Sequence, residues 1–243
     1  MGEFEISDLA ELTYFLGTEF IPTSKGVFMH QKKYATDILK RFNMLDCNPT
    51  LTPVETGTRL VKEGDEDLVN STQYRQLVGS LRYLCTTKPD LAYAVGLISR
   101  FMEKPRASHQ VVGKRILRYI KGTLDFGLLF PNDFQCRSVE IVGYTDSNWC
   151  GDKNDRKSTG EYVFMCGNGS ISWSSKKQDV VVLSSFEVEY IAASFGACQV
   201  AWLETLLKEM KLKVAIPLKM RTDNKSVIHL AKHPVAHGRS KHI

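Results

Sequence analysis

Val139-Glu140-Ile141-Val142-Gly143-Tyr144-Thr145-Asp146 reads as a β-strand that ends on an acid, and together with the elements after it this strand decides the fold. Gly160-Glu161-Tyr162-Val163-Phe164-Met165 is a second strand, ended by Gly167-Asn168-Gly169, and Ser170-Ile171-Ser172-Trp173-Ser174-Ser175 is a third. Apolar runs separated by turn residues predict an antiparallel meander. A helix is predicted from about Ser185 to Met210, with Ile191, Phe195, Cys198, Trp202 and Leu206 at steps of three or four. Leu218-Lys219-Met220-Arg221-Thr222 is a short strand, and Ser226 to Lys232 begins another helix. The order βββαβα makes this a mixed α/β (α+β) region.

Carboxylates stand in three segments of that region: Tyr144-Thr145-Asp146-Ser147, Ser184-Ser185-Phe186-Glu187-Val188-Glu189-Tyr190 and Arg221-Thr222-Asp223-Asn224. Asp146, Glu189 and Asp223 come from separate elements, and such acids converging on one place would hold two divalent cations. Hard oxygen ligands suit Mg2+ or Mn2+, and the ions activate a water and stabilise a leaving oxygen. Each acid has a plainer reading. An isolated Asp at a strand end bonds its own backbone in a turn, and Asp223-Asn224 stands where a cap for the following helix belongs. Ser184-x-x-Glu187 has capping-box spacing, which assigns Glu187 to the helix end. Glu189 has Ala192, Ala193 and Gly196 beyond it, a small-residue face that lets the helix lie close to the sheet, so Glu189 is the ligand candidate. No Asp or Glu follows Asp223, so the set lacks a fourth acid. His229, His233, His237 and His242 have no cysteine beside them and lack the ligand pairs of a zinc site.

Two sections precede this region. Leu12 to Ile21 reads as a strand, Ser24-Lys25-Gly26 as a turn and Val27-Phe28-Met29-His30 as a second strand, giving a hairpin. Ala35 to Phe42 is an amphipathic helix, and Glu63-Gly64-Asp65-Glu66-Asp67 is an acidic loop. From residue 71 to about 131 the chain reads as mainly helical, with stripes Leu77, Leu81, Leu84, then Leu91, Val95, Ile98, Met102, then Val112, Ile116, Tyr119, Ile120. Lys88-Pro89-Asp90 and Lys104-Pro105 separate the helices.

The 243 residues carry a net charge of +5, unevenly spread. Residues 1–70 hold 7 Lys/Arg against 12 Asp/Glu, whereas residues 71–131 hold 10 against 3. A basic middle suggests a polyanion partner, because Lys and Arg displace counterions condensed on phosphates; the plainer reading is a solvated face. Lys114, Arg115 and Arg118 are the candidate phosphate contacts, with Lys176 and Lys177 beside Trp173, itself either core or substrate contact. The six scattered cysteines form no C-x-x-C pair and read as free thiols. The acidic start lacks the apolar core of a signal peptide, and no run approaches the ~20 apolar residues of a membrane span.

Several strings in order carry a family resemblance: Tyr14-Phe15-Leu16-Gly17; Tyr74-Arg75-Gln76-Leu77-Val78-Gly79-Ser80-Leu81-Arg82-Tyr83-Leu84; Arg100-Phe101-Met102-Glu103-Lys104-Pro105; Arg115-Ile116-Leu117-Arg118-Tyr119-Ile120-Lys121-Gly122-Thr123; Asp155-Arg156-Lys157-Ser158-Thr159-Gly160; Trp173-Ser174-Ser175-Lys176-Lys177-Gln178; and Arg239-Ser240-Lys241-His242-Ile243. Together they resemble the carboxy-terminal part of the Pol polyproteins of copia-type LTR retrotransposons. The resemblance implies that residues 1–70 are the primer-grip and thumb end of a reverse transcriptase, residues 71–138 a helical basic connection, and residues 139–243 a ribonuclease H-like domain, incomplete at its C-terminal end. It implies a two-metal ribonuclease H that cuts the RNA strand of an RNA–DNA hybrid, with Asp146, Glu189 and Asp223 as metal ligands and His237 and His242 as possible auxiliary groups.

In the family an Asp follows the Lys-His-Ile string and would supply the fourth ligand. The polymerase's Asp-Asp pair lies upstream, which makes the polymerase section of the same polyprotein an expected partner. The expected setting is the cytoplasm, within a virus-like particle, or the nucleus, without membrane or secretion. Phe186 departs from the small or hydroxyl residue usual before Glu-x-Glu. The alternative is an inactive or repurposed nucleic-acid-binding or interaction remnant of such an element.

Overall fold

The hairpin, the helices and the βββαβα order all form, and a strand the sequence did not announce joins the first two sections. The computed structural model describes residues 12–132, 140–212, 215 and 217–233. It is a mixed α/β structure of two sheets and six α-helices among the described residues.

The run expected as one strand from Leu12 divides into β1 (Tyr14–Phe15) and β2 (Thr18–Thr23). Leu16 and Gly17 between them have φ of 47° and 77°, a left-handed pair that turns the chain back. β3 (Gly26–His30) completes the hairpin, and α1 (Lys32–Arg41) comes next, turning Ala35, Ile38 and Leu39 inward. The middle section holds α2 (Ser71–Leu84), α3 (Ala92–Ile98) and α4 (Ala107–Gly122), with short 3-10 turns on either side of α3. Asn70 caps α2 by accepting the Gln73 N–H at 3.0 Å.

Where the sequence predicts only helix, β4 (Leu128–Pro131) pairs antiparallel with β3, giving a sheet of order β1-β2-β3-β4. Its four residues are too few for periodicity to register. The return of β4 to β3 means the first two sections share both a sheet and a core: Ala35, Ile38, Leu39 and Leu60 pack in one cluster with the inward faces of α2, α3 and α4.

The second sheet holds β5 (Ile141–Asn148), β6 (Thr159–Cys166) and β7 (Gly169–Lys177) as an antiparallel meander. α5 (Ser185–Glu209) then crosses over, and β8 (Lys219–Arg221) lies parallel to β5, giving the order β7-β6-β5-β8. After it comes α6 (Lys225–Lys232), capped by Asn224. α5 lies close because its near face is small: a Cβ on Gly196 would stand 2.7 Å from Met220 and 2.8 Å from the Thr145 methyl, and one on Gly160 3.3 Å from Ala192. Among the described residues no helix is long and apolar enough to cross a membrane.

Candidate active site

Glu189 is the focus of the site. It sits in the first turn and a half of α5, on the face toward the sheet, and is 9% exposed. Its Oε1 accepts a hydrogen bond from the Ser147 hydroxyl at 2.6 Å, while its buried Oε2 has no partner among the described residues. An unsatisfied buried carboxylate oxygen is costly in an ordinary core and typical of a place where something binds. Burial pushes the Glu189 carboxyl above its ordinary range; the Ser147 hydroxyl pulls it back, and Asp146 and Asp223 add to the rise through space. Glu187, two residues earlier, does the other job. Its backbone N–H donates to Ser184 Oγ at 3.2 Å and its carboxylate accepts the Leu183 N–H at 2.9 Å, completing the helix end.

Asp146 and Asp223 act on Glu189 through space, from β5 and from beyond the end of β8. Asp223 is the second residue after β8 and is exposed, while the neighbouring Asn224 does the capping, accepting from Ser226 N at 3.0 Å and Val227 N at 3.2 Å. Asp146 lies between Thr145 and Ser147, whose side chains face α5, so strand alternation turns it to the other side of the sheet. There it is exposed, and its Oδ1 accepts the Ser147 N–H at 2.7 Å. Its cross-strand neighbour is Glu161, which no sequence pattern singles out. Burial raises the Glu161 carboxyl, the hydroxyl of Ser175 at 2.6 Å opposes, and Asp146 raises it further. Both acids line a cleft of about 320 Å³ between the sheet and the start of α3, together with Tyr93, Tyr144 and Trp173.

The donor set suits a hard divalent cation: all carboxylate oxygens, one of them buried and unpartnered. The spacing is looser than the chemistry. Among the described residues no three His, Cys, Asp or Glu stand close enough together to hold a metal ion. Like-charge repulsion opposes their approach, and a cation would offset it.

The candidate nucleic-acid residues are divided by their contacts. Lys114 is exposed. Arg115 pairs with Glu55 at 2.6 Å and Thr52 at 3.1 Å, and Arg118 donates to the Asn48 carbonyl at 2.8 Å, so these two brace the loop before residue 56. Lys177 is held by Asp152 at 2.5 Å and Asp155 at 2.8 Å, while Lys176 is exposed above the ring of Phe195. Trp173 is half-buried and donates to the Cys85 carbonyl at 2.9 Å, joining the two halves of the molecule. His237 and His242 lie outside the described residues.

Comparison with known proteins adds identity to this geometry. A family model described as reverse transcriptase (RNA-dependent DNA polymerase) matches residues 1–56. The chain is 38% identical, over 240 residues and 99% of its length, to the retrovirus-related Pol polyprotein from transposon RE2 of Arabidopsis thaliana. It is 36% identical over 249 residues to the retrovirus-related Pol polyprotein from transposon TNT 1-94 of Nicotiana tabacum. It covers 16% and 18% of those two proteins' lengths. An uncharacterized mitochondrial protein of Arabidopsis thaliana is 35% identical over 203 residues, with 82% of this chain and 81% of that protein covered. No solved structure matches the chain.

Proposed function

Since the chain belongs to the Pol polyproteins of copia-type retrotransposons, we propose that its third section, residues 139–243, is a ribonuclease H-type endonuclease acting on RNA–DNA hybrids. The observation that carries this reading is Glu189, a buried acid at the start of α5 with one oxygen held by Ser147 at the end of β5 and the other without a partner among the described residues. The strand order β7-β6-β5-β8, antiparallel except for β8 beside β5, supports a ribonuclease H-like fold. Residues 1–70 are the end of a reverse transcriptase and residues 71–138 a connection to the nuclease, with the polymerase section of the same polyprotein as partner.

Asp146, Glu189 and Asp223 would hold the divalent ions. What a pair of Mg2+ or Mn2+ ions supplies at such a centre is an activated water and charge neutralisation at the leaving oxygen. The protein's own contribution is to aim Glu189: Ser147 fixes one oxygen and leaves the other without a partner among the described residues. Exposed Lys114 and Lys176 are available to phosphates, whereas Arg115, Arg118 and Lys177 shape the surface around them. A second reading, a nucleic-acid-binding remnant without hydrolysis, is favoured by the open spacing of the carboxylates.

Cleavage of a labelled hybrid in Mg2+ or Mn2+ separates the two. Asp146→Asn, Glu189→Gln and Asp223→Asn should each lower turnover by more than about 100-fold, beyond the cost of losing a ligand's hydrogen-bond partner. Glu187→Gln should leave it intact. Equal losses in Glu187→Gln and Glu189→Gln would refute the site, and hybrid binding without cleavage in the unaltered chain would favour the remnant.

A further inference from the structure

Building on the carboxylate centre proposed above, we infer that Arg100 is a positioning residue for it, tying the helical half of the molecule to the hinge between β5 and β6, beside the strand end that carries Asp146 and Ser147. Arg100 lies in the 3-10 turn Ser99–Phe101 that ends α3, and its side chain is only 12% exposed. One guanidinium nitrogen donates to Asp152 Oδ2 at 3.2 Å and the other to Thr159 Oγ1 at 2.9 Å. Those partners stand at two places on one connection. Asp152 is in the loop leaving β5, and Thr159 is the first residue of β6.

The loop is organised around this grip. Asp152 is 5% exposed and also receives Lys177 Nζ at 2.5 Å and both the backbone and side-chain N–H of Asn154 at 2.8 Å. Asn154 in turn donates to the Leu60 carbonyl at 3.3 Å and accepts the Lys62 N–H at 2.7 Å, a second tie to the helical half. From Thr159 the register runs straight to the site: Thr159 pairs with Asn148, Gly160 with Ser147 and Glu161 with Asp146. The ends of an antiparallel pair open most readily unless something holds them. A planar guanidinium with two fixed, largely buried acceptors is directional in a way that a single ammonium is not. The bond from Ser147 to Glu189 leaves from this same end of β5. If the hinge shifts, the hydroxyl that aims Glu189 shifts with it, and displacements of about 1 Å at a reacting centre are enough to lower turnover sharply.

The test uses the full chain and three variants, Arg100→Ala, Arg100→Lys and Thr159→Val, with amide hydrogen exchange by mass spectrometry read beside hybrid cleavage in Mg2+ or Mn2+. Arg100→Ala should speed exchange of peptides covering 145–148 and 159–161 by about ten-fold while peptides of α2 hold their protection. Arg100→Lys keeps the charge on Asp152 but loses the fork, so it should recover part of that protection. Thr159→Val removes one acceptor with little change of shape and should loosen 159–161 even if Arg100→Ala folds poorly. Turnover should fall about ten-fold with KM within about two-fold, as expected when only the reacting geometry suffers. Unchanged exchange, uniform loss of protection through α2, or local loosening with unchanged turnover would each overturn the inference. If the unaltered chain cleaves nothing, the reading of the centre fails, and exchange alone then decides whether Arg100 holds the hinge.

Discussion

The helical half and the sheet half of this chain are stabilised by different means. Around α1 to α4 one cluster gathers nineteen buried apolar residues, running from Ala35 to Ile120. Around β5 to β8 the corresponding cluster has four: Ile141, Phe164, Leu203 and Leu218. Both halves bury polar groups, Gln31, Lys88 and His109 in the first, but in the sheet half Thr145, Asp152, Ser158, Thr159, Gln178 and Glu189 stand beside a much smaller apolar cluster. The outer side of α5 leaves Phe195, Trp202 and Leu206 exposed. The difference teaches that the first half rests mainly on apolar burial, which gives stability without direction, whereas the second depends more on buried polar groups, which must be aimed and held. The second half obtains part of its support from the first, through Arg100, Asn154 and the bond from Trp173 to the Cys85 carbonyl.

The largest effects should come from breaking either core. Ile116→Ala in the scaffold should cost about 2–5 kcal/mol and Phe164→Ala in the sheet about 3–5 kcal/mol. All three tryptophans, Trp149, Trp173 and Trp202, belong to the sheet half, so their fluorescence reports that half, whereas far-UV dichroism sums the helices of both halves, α5 among them. In urea, Ile116→Ala should move both signals together, because the sheet half leans on the scaffold. Phe164→Ala should move the fluorescence midpoint ahead of the dichroism. Coincident midpoints in Phe164→Ala would show instead that the halves unfold as one unit.

Next in size is the buried ion network, and here pH sharpens the contrast. Burial pushes the Asp152 carboxyl up, but Lys177 and the two Asn154 donors outweigh it and hold it well below the usual carboxylate range. Its stabilising contribution is therefore fully present above the unfolded value of 3.8 and is lost only as pH falls toward the lower folded value. Asp152→Asn leaves Arg100 and Lys177 without their buried counter-charge and should cost about 3 kcal/mol or more. That difference should stay constant from neutral pH down to about 4 and shrink below it. Glu189 has the opposite sign. Its carboxyl is raised, so its contribution is lost as pH rises above 4.5 through the folded value, and Glu189→Gln should remove that slope. Urea midpoints across the pH range measure both, and parallel profiles for the two variants would contradict the assignments.

The smallest effects belong to the N-terminal ends of α5 and α6. Ser184→Ala and Asn224→Ala should each cost about 1 kcal/mol in thermal or urea melts, while Asp223→Ala should cost almost nothing because Asn224 provides the cap. A stability loss in Asp223→Ala equal to that of Asn224→Ala would assign Asp223 to structure as well as to the site.

The meander, the long helix and the short fourth strand are legible in the sequence as runs of apolar residues and the turns between them; the capping place of Glu187 is legible in its spacing to Ser184, and the inward place of Glu189 in the small residues beyond it. β4 is not legible, since Leu128–Pro131 is short and becomes a strand only because β3 offers it an edge. Glu161 escapes notice because an acid within a strand carries no local signal, although its register opposite Asp146 makes the two neighbours. The side to which Asp146 turns comes from strand alternation only once Thr145 and Ser147 are known to face the helix.

The sequence by itself determined the order and kind of the elements and the residues at their ends, because periodicity, turns and caps act over a few positions along the chain. Only the tertiary structure decided which charges are free and which are spent. Arg115 and Arg118 have the pattern of phosphate contacts and also brace a loop sixty or more residues away, while Arg100, inconspicuous in its turn, meets Asp152 fifty-two residues further on. Pairing over such separations depends on how whole elements pack, and no short-range pattern in the chain encodes it.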